Sequence, residues 1–310
     1  MPKREALVCD TTLRDGQQSP GLAFPAELRT RLARALDDLG VAVIEAGSPA
    51  MGPAEREIFS LVRKAVKKAR VSAWNRLNLA DVQASAALGP DLLHVSFPAS
   101  ERQTKKTGLS FAGALDVLEK ALSFCASRGL PVRVGLEDVS RASPGRQERL
   151  LSALRELGVA EARLADTVGI LAPLGVRGLV EFWKAGGFLA EFHAHNDLGM
   201  AAPNSLVAAL SGADVVDCTL NGVGERAGNC PLGAFLRLLS RAEGVFSKID
   251  PDRALALERE FLPALDREGR LSRLFRSPGA DITNIPGSIP AEPDWVEHGS
   301  KNLENSRGRG

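Results

Sequence analysis

Short apolar runs alternate with longer segments of helical periodicity from residue 6 to residue 242. The apolar and β-branched runs, which are typical of strands, are residues 6–10, 41–46, 71–74, 92–97, 132–137, 162–166, 189–194 and 215–220. The segments with apolar positions at helical spacing are residues 25–39, 53–69, 79–88, 111–128, 146–157, 173–184, 201–211 and 231–242. Because parallel strands need a long crossover connection, this strict alternation predicts a parallel sheet.

These strand–helix units predict an α/β fold, a closed (β/α)8 TIM barrel over residues 1–245. A doubly wound open sheet is the alternative. Closure is favoured because it leaves no open sheet edge and because barrels of this type take about 250 residues. The sequence also has no GxGxxG motif after the first predicted strand, which argues against a dinucleotide-binding sheet.

The pattern changes after the predicted barrel. Residues 246–276 predict a short helical extension, with one or two charged amphipathic helices over residues 251–276. Four prolines and a closing NSRGRG follow, so we expect an irregular or disordered tail over residues 277–310.

Composition excludes several classes of partner. The formal net charge of +1 gives no indication of a nucleic acid or an anionic membrane surface. No run approaches the ~18 apolar residues of a membrane span. The four cysteines are scattered and form no CxxC pair, which fits a reducing compartment. We therefore expect a cytoplasmic protein with no nucleic-acid or membrane partner.

Candidate metal ligands follow two of the predicted strands. His193 and His195 are two residues apart, so both imidazoles face the same side of a strand. Asp15 follows the first strand, and barrel enzymes place their active sites at the carboxyl ends of the strands. Two imidazoles and one carboxylate could hold a divalent cation and leave positions open for a substrate. Asp197 is another candidate carboxylate, and a structural histidine pair is the alternative interpretation.

Other ionisable residues follow the same strand ends. Arg14, next to Asp15, would place a cation where it could stabilise an enolate or alkoxide oxygen. A surface ion pair is the alternative for Arg14. Glu45 and Asp166 end two further strands, where they are either site residues or hydrogen-bonding groups without a chemical role.

Three motifs resemble the DRE-TIM metallolyases, the HMGL-like or pyruvate carboxyltransferase domain family. They are DTTLRDGQQ at residues 10–18, HAHNDLG at 193–199 and NGVGERAGN at 221–229. The resemblance runs from about residue 5 to residue 245. Within the family, IEAGSPAMGPAERE at 44–57, AWNR at 73–76 and LEDVSR at 136–141 are most similar to homocitrate synthases of the nitrogen-fixation type. Glu225 and Arg226 resemble the synthases and not the CoA lyases, which carry a cysteine-containing loop there.

The resemblance implies a role for each matching position. Asp15, His193, His195 and Asn229 would bind a divalent metal, Mg2+ or Mn2+ first, with Fe2+, Co2+ or Zn2+ as alternatives. The implied catalytic residues are Arg14 and Glu45, and the implied substrate-binding residues are Gln18, Arg133, Glu137, Asp166 and Thr167. Thr167 would hold the C1 carboxylate of a 2-oxo acid. Arg133 would hold the distal carboxylate of 2-oxoglutarate, since a guanidinium selects a dicarboxylate, or else it is an outward, solvated strand residue.

The implied reaction is a metal-dependent Claisen condensation of acetyl-CoA with 2-oxoglutarate or a related 2-oxo acid, an acyltransferase reaction. Two alternatives stay open, because one barrel hosts several chemistries. The first is a lyase or aldolase of the same family. The second is a non-catalytic or split subunit that binds the metal and the 2-oxo acid.

The sequence departs from the synthases at two places. Synthases continue past the barrel into a region with a histidine motif, whereas His298 in WVEHGS does not match that motif. Gln103 stands where many relatives have a histidine. We therefore expect that the usual C-terminal region is lacking, and that the chain forms a homodimer or takes the region from a partner chain.

Overall fold

The computed structural model describes residues 3–22 and 24–265. The predicted irregular tail, and the part of the predicted helical extension beyond residue 265, lie outside these described residues. No helix in the described ranges is both long enough and apolar enough to span a membrane.

The predicted (β/α)8 barrel is confirmed. Its strands are all parallel to their neighbours, and the first and last close on each other through pairs such as Leu7 with Val215. A separate two-stranded sheet pairs residues 4–5 with residues 245–246. In chain order, the strands are β1 (Arg4–Glu5), β2 (Leu7–Asp10), β3 (Val43–Gly47), β4 (Arg70–Asn75), β5 (Leu92–Pro98), β6 (Val132–Glu137), β7 (Glu161–Asp166), β8 (Leu189–Ala194), β9 (Val215–Cys218) and β10 (Val245–Phe246).

Helices follow the barrel strands at the predicted places. In chain order, they are α1 (Ala26–Leu39), α2 (Pro53–Ala65), α3 (Leu79–Ala86), α4 (Glu101–Thr107), α5 (Phe111–Ala126), α6 (Pro144–Glu156), α7 (Pro173–Ala185), α8 (Ala201–Leu210), α9 (Leu232–Leu239) and α10 (Pro251–Leu265). Helix α4 was not predicted, because its charged sequence has no apolar stripe. It begins at Ser100, whose hydroxyl accepts a hydrogen bond from the amide of Gln103 at 2.9 Å.

Two predicted elements end early for identifiable reasons. Helix α2 ends at Ala65 and not at residue 69, because the backbone amides of residues 67, 68 and 69 donate hydrogen bonds to the Asp37 carboxylate. Strand β9 ends at Cys218 and not at residue 220, because the chain turns there through a short 3-10 helix, Leu220–Gly222. Asn221 adopts a left-handed conformation in that turn, with φ of 55°.

Of the region after the barrel, the structure describes residues 246–265. The predicted extension over residues 246–276 begins with the end of β10, and the described helix is α10. Helix α10 packs against α9 and α1, with Phe261 fully buried. This helix therefore adds to the shell of helices around the barrel.

The inside of the barrel changes character along its axis. An apolar layer near the amino ends of the strands contains Cys9, Val43 and Leu92. Above it, towards the carboxyl ends, charged side chains are buried, among them Arg163 and Glu191. Because buried charges are costly unless they are paired, their concentration at one end of the barrel locates the candidate site.

Candidate active site

A cavity opens at the carboxyl ends of the barrel strands. Its volume of about 190 Å³ is more than ten times the roughly 10–15 Å³ that one water molecule needs, so it can hold a small organic acid. The cavity is lined by Arg14, Asp15, Gln18, Trp74, His94, Ser96, Gly135, Glu137, Arg163, Ala165, Thr167, His193, His195 and Glu225.

The three predicted metal ligands meet at one side of this cavity. Asp15 Oδ2 lies 3.3 Å from His193 Nε2 and 3.9 Å from His195 Nε2, and the two Nε2 atoms are 3.3 Å apart. All three side chains are buried, at 5% exposure or less. His193 lies in β8 and His195 directly follows its end, and both imidazoles face the inside of the barrel, as the two-residue spacing predicts.

Neighbouring residues orient these ligands. Asp217 Oδ2 lies 2.8 Å from His193 Nδ1, which directs the Nε2 atom of that imidazole towards the cavity. Asn229 is paired at the backbone with His195. The side-chain amide of Asn229 donates to the carbonyl of Val223 at 3.1 Å, while its buried Oδ1 has no partner among the described residues.

This donor set fits a divalent cation. It combines one carboxylate, two imidazoles and the unpartnered Oδ1 atom of Asn229, and the three charged or titratable groups lie within 4.8 Å of one another. Such mixed oxygen and nitrogen ligands suit Mg2+, Mn2+, Fe2+, Co2+ or Zn2+. Gly224 leaves the room for this cluster, because a Cβ atom there would lie 2.1 Å from Asn229 Nδ2 and 3.2 Å from Asp15 Oδ1.

The charges of the cluster are interdependent. Burial would raise the pKa of Asp15, but Arg14 and His193 outweigh burial and hold that pKa below its usual range. Burial would lower the pKa of His193, but hydrogen bonds to Asp15 and Asp217 raise it to about 9. Burial and the positive charge of His193 lower the pKa of His195 to about 3. Since a ligating imidazole must be neutral, metal binding here would release a proton from His193.

Arg14 extends the site next to Asp15. Its Nη1 lies 3.0 Å from Asp15 Oδ2, and its Nε donates to Glu45 Oε1 at 2.5 Å. Glu45 is fully buried, and Glu45 Oε2 lies 2.7 Å from His94 Nδ1. Burial would raise the pKa of Glu45, but Arg14 and Arg163 hold it well below the usual range. Glu45 is therefore an anion that fixes Arg14 in position.

Three of the predicted substrate-binding residues also line the cavity: Gln18, Glu137 and Thr167. Glu137 is held by the hydroxyl of Ser96 at 3.1 Å and by the side-chain amide of Gln103 at 2.5 Å. Thr167 Oγ1 accepts a hydrogen bond from the backbone amide of Asp138 at 2.8 Å. Its own hydroxyl proton is then left to donate to another acceptor.

Arg133 and Asp166 are placed elsewhere. Arg133 is the second residue of β6, below the cavity, and is buried at 2% exposure, so it is neither at the barrel mouth nor solvated. Its guanidinium contacts Glu191 and lies 3.3 Å from Glu161. Asp166 accepts from the backbone amides of Ile170 and Leu171, at 3.2 and 3.0 Å, and so caps the turn after β7. Neither residue lines the cavity.

Asp197, the other candidate carboxylate, pairs with Arg226 in the loops above the site. Arg226 Nε donates to Asp197 Oδ1 at 2.8 Å, and Nη2 donates to Oδ2 at 3.0 Å. This bidentate pair joins the loop after β8 to the loop after β9. Asp197 is therefore committed to Arg226, which leaves Asp15 as the carboxylate of the cluster.

Sequence analysis missed Trp74, His94, Ser96, Arg163 and Asp217. The residues predicted from the sequence mainly follow the apolar runs, whereas all five of these residues lie inside strands. A usable signal was present, because Arg163 precedes Thr167 by four residues and so faces the same side of β7. A charged residue inside an apolar run, an even number of positions before a polar strand-end residue, indicates a side chain that faces the inside of the barrel.

The fold and the cluster define a class of protein, a (β/α)8-barrel enzyme with a candidate metal-ligand set at the carboxyl ends of its strands. Residues 6–259 match the family model described as HMGL-like, and the chain belongs to this family.

Homocitrate synthases are among its relatives. Homocitrate synthase 1 of Nostoc sp. is 37% identical over 257 residues, which cover 82% of this chain and 68% of that protein. Homocitrate synthase subunit alpha of Clostridium pasteurianum is 36% identical over 239 residues, which cover 76% of this chain and 89% of that protein. Among solved structures, a Bacillus subtilis HMG-CoA lyase superposes with a TM-score of 0.75 at 22% identity, covering 89% of this chain and all of that one, a likeness of fold alone.

Proposed function

We propose that this chain is a homocitrate-synthase-like acyltransferase, which joins acetyl-CoA to 2-oxoglutarate or a related 2-oxo acid. One observation carries the proposal: Asp15, His193 and His195 converge within 4.8 Å at one wall of a cavity that Arg14 also lines. The identity to homocitrate synthases supports the reaction class. We place the reaction in the cytoplasm, since the four cysteines are buried and free.

Asp15, His193, His195 and Asn229 would hold the divalent cation. When bound, such a cation supplies Lewis acidity towards the carboxylate and keto oxygens of a 2-oxo acid. The protein's own residues do the rest of the orientation. The guanidinium of Arg14, fixed by Glu45, presents positive charge where the keto oxygen becomes negative.

Thr167 orients the substrate from the end of β7, the strand next to β8. Its Oγ1 atom already accepts from the amide of Asp138, so its O–H group is free to donate to the C1 carboxylate. Gln18 and Glu137 complete the polar lining. Arg133 takes no part in the proposal, because it lies below the cavity.

We further propose that the chain acts as an oligomer, either a homodimer or a complex with a second polypeptide that contributes to the acetyl-CoA site. The Clostridium pasteurianum relative supports the second arrangement, because that protein is called a subunit. Light scattering of the purified chain distinguishes a dimer from a monomer. A monomer that gains activity only on addition of a second polypeptide would support the complex.

The reaction is tested by incubating the purified chain with Mn2+, acetyl-CoA and 2-oxoglutarate. We expect release of free CoA, measured with a thiol reagent, and formation of homocitrate, measured by mass spectrometry. Pyruvate and 2-oxoisovalerate in place of 2-oxoglutarate identify the preferred 2-oxo acid. Arg14→Lys keeps the charge but loses the planar fork, so we expect a fall in kcat of at least tenfold.

Absence of CoA release with every 2-oxo acid, in the chain alone and with its partner, would refute the synthase. Cleavage of a 3-hydroxyacyl-CoA into acetyl-CoA and a ketone would then support a lyase. Binding of Mn2+ and 2-oxo acid without turnover of either kind would support a non-catalytic subunit.

A further inference from the structure

One buried guanidinium lines the cavity from inside the barrel. Arg163, on β7, is 1% exposed and is the third residue of its strand. Three carboxylates surround it: Arg163 Nη2 lies 2.9 Å from Glu45 Oε2, and Nε lies 3.0 Å from Asp217 Oδ2 and 2.5 Å from Glu191 Oε1. These carboxylates come from β3, β9 and β8, so the guanidinium joins four strands of the barrel.

Two of these carboxylates lead to different parts of the candidate site. Asp217 Oδ2 also binds His193 Nδ1 at 2.8 Å, and His193 is a candidate metal ligand. Glu45 Oε1 also accepts from Arg14 Nε at 2.5 Å, and Arg14 is the cation beside Asp15. Arg163 therefore contacts both Asp217, which binds the candidate metal ligand His193, and Glu45, which binds Arg14.

The charges in this layer match that arrangement. Glu45 is fully buried and Asp217 is 2% exposed, and each has a carboxylate oxygen within 3.0 Å of the Arg163 guanidinium. Burial would raise the pKa of Glu45, but Arg14 and Arg163 hold it well below the usual range. Burial of two anions without a shared cation would cost several kcal/mol, and the rigid fork of a guanidinium can bind both at once.

We propose that Arg163 is a positioning residue that orients both His193, through Asp217, and Arg14, through Glu45. It thereby fixes the positions of the metal ligands and of the catalytic cation relative to each other. This inference rests on the proposed function for the role of Arg14. Arg163 and Asp217 were not selected from the sequence, and the proposed role gives a task to the charged layer inside the barrel.

Arg163→Lys tests the inference. Lysine keeps the positive charge, but its single ammonium group cannot replace the two-sided contacts of the guanidinium. We expect Mn2+ affinity, measured by calorimetry without substrate, to fall about 10- to 100-fold, as is usual when a residue that orients a metal ligand is lost. We also expect kcat to fall more than the KM for the 2-oxo acid rises, because Arg14 is misplaced.

Arg29→Lys is the matched control. Arg29 is also buried, at 2% exposure, and pairs with Glu55 at 2.6 and 2.7 Å on the outside of the barrel. Arg29→Lys should lower the free energy of unfolding, measured with urea, about as much as Arg163→Lys does. Its Mn2+ affinity should change less than threefold. Equal losses of Mn2+ affinity in both variants would show that Arg163 is only structural, and would overturn the inference.

Variants at Asp217 and at Glu45, which each change one of the two contacts of Arg163, keep the test decisive if Arg163→Lys does not fold. Asp217→Asn should reproduce the loss of Mn2+ affinity, whereas Glu45→Gln should leave Mn2+ affinity within threefold and lower kcat. Unchanged Mn2+ affinity in Asp217→Asn would overturn the inference. Failure of the proposed function is distinguishable, because it would show in the wild-type chain as Mn2+ binding without turnover while the variant affinities still differ.

Discussion

At the scale of single residues, position 135 shows how closely the strands of the cavity wall fit. A Cβ atom on Gly135 would lie 2.0 Å from Nε2 of His94, on the neighbouring strand β5. The glycine is thus required by the imidazole and not by backbone conformation. That imidazole in turn rests on Glu45, the anion that fixes Arg14. A single methyl group at position 135 would therefore disturb the catalytic arginine two contacts away.

Gly135→Ala should destabilise the protein by about 1–3 kcal/mol, because the added methyl group displaces His94 from Glu45. Urea unfolding measures the loss, and CoA release measures the accompanying fall in activity. Gly178→Ala is the control, since no atom lies within 4 Å of its Cβ position in the middle of α7. It should stabilise the protein by about 0.5–1 kcal/mol through helix propensity. Equal stability of the two variants would contradict the predicted collision.

Asp10, at the end of β2, is a second residue whose burial should have a measurable effect on the free energy of unfolding. It is fully buried, and one of its oxygens has no partner among the described residues, while the other accepts from the amide of Thr12 at 2.9 Å. Burial raises the pKa of Asp10 to about 7. An acid whose pKa is higher in the folded state stabilises the fold below its unfolded pKa, and this contribution is lost as pH rises towards 7.

Asp10→Asn should remove this pH dependence. Between pH 4 and pH 8, the variant should gain stability relative to wild type by at most about 4 kcal/mol, at 1.36 kcal/mol per pKa unit. Urea unfolding at several pH values measures the difference. Asp116→Asn, at an exposed ion pair with Lys120, should leave the shape of the pH curve unchanged. A constant stability difference from pH 4 to pH 8 would refute the assignment.

At the scale of elements, helix α10 is tied to the loop that follows β9. Glu258 Oε1 accepts from the backbone amides of Asn221 at 2.9 Å and Gly233 at 3.0 Å, and the Asn221 side chain donates to the Glu258 carbonyl at 3.0 Å. The same loop carries Glu225 and Asn229. A helix outside the barrel thus supports one edge of the candidate site.

Glu258→Ala should destabilise the protein by about 2–4 kcal/mol, because one buried and one partly buried amide lose their acceptor. It should also weaken Mn2+ binding, since Asn229 is on the loosened loop. Glu258→Gln keeps a carbonyl acceptor and should stay within about 1 kcal/mol of wild type by urea unfolding. The exposed Glu260→Ala should be neutral. If Glu258→Ala lost stability but kept its Mn2+ affinity, α10 would support the fold without supporting the site.

At the scale of the whole molecule, the candidate metal site lies at the seam where the barrel closes. Asp15 follows β2, the two histidines lie at and just beyond the end of β8, and Asn229 follows β9, which lies between those two strands. A cation held by all of them would link the first barrel strand to the last two. Metal binding should therefore stabilise the entire barrel and not only the loops around the cavity.

Mn2+ at one hundred times its Kd should stabilise the folded chain by about 2.7 kcal/mol. For a barrel of this size, that corresponds to a rise in Tm of about 5–10 °C. Differential scanning calorimetry with EDTA and with Mn2+ measures the shift. His195→Ala should abolish it, while Arg29→Lys, outside the barrel, should retain it at a lower starting Tm. A full shift in His195→Ala would refute the ligand assignment.

Much of this molecule was predictable from its sequence. The apolar runs and the helical period of the segments between them predict the barrel, because both are local properties of the chain. The bounds of β6 and β8 agree with the prediction to the residue. The three motifs likewise brought Asp15, His193, His195 and Arg14 into one predicted site, and the structure places them together. Here the sequence was sufficient because each residue lies at or just beyond a strand end, where the fold itself gathers side chains.

Only the tertiary structure decided which charged residues inside the barrel serve the site. Arg133 and Arg163 both lie within strands, and sequence patterns do not distinguish them, yet only Arg163 lines the cavity. The difference comes from the stagger of neighbouring strands, which sets Arg163 level with Gly135 and next to Glu191. Periodicity fixes the side of a strand that a residue faces, but depth in the barrel depends on the register between strands, which is a property of the closed sheet.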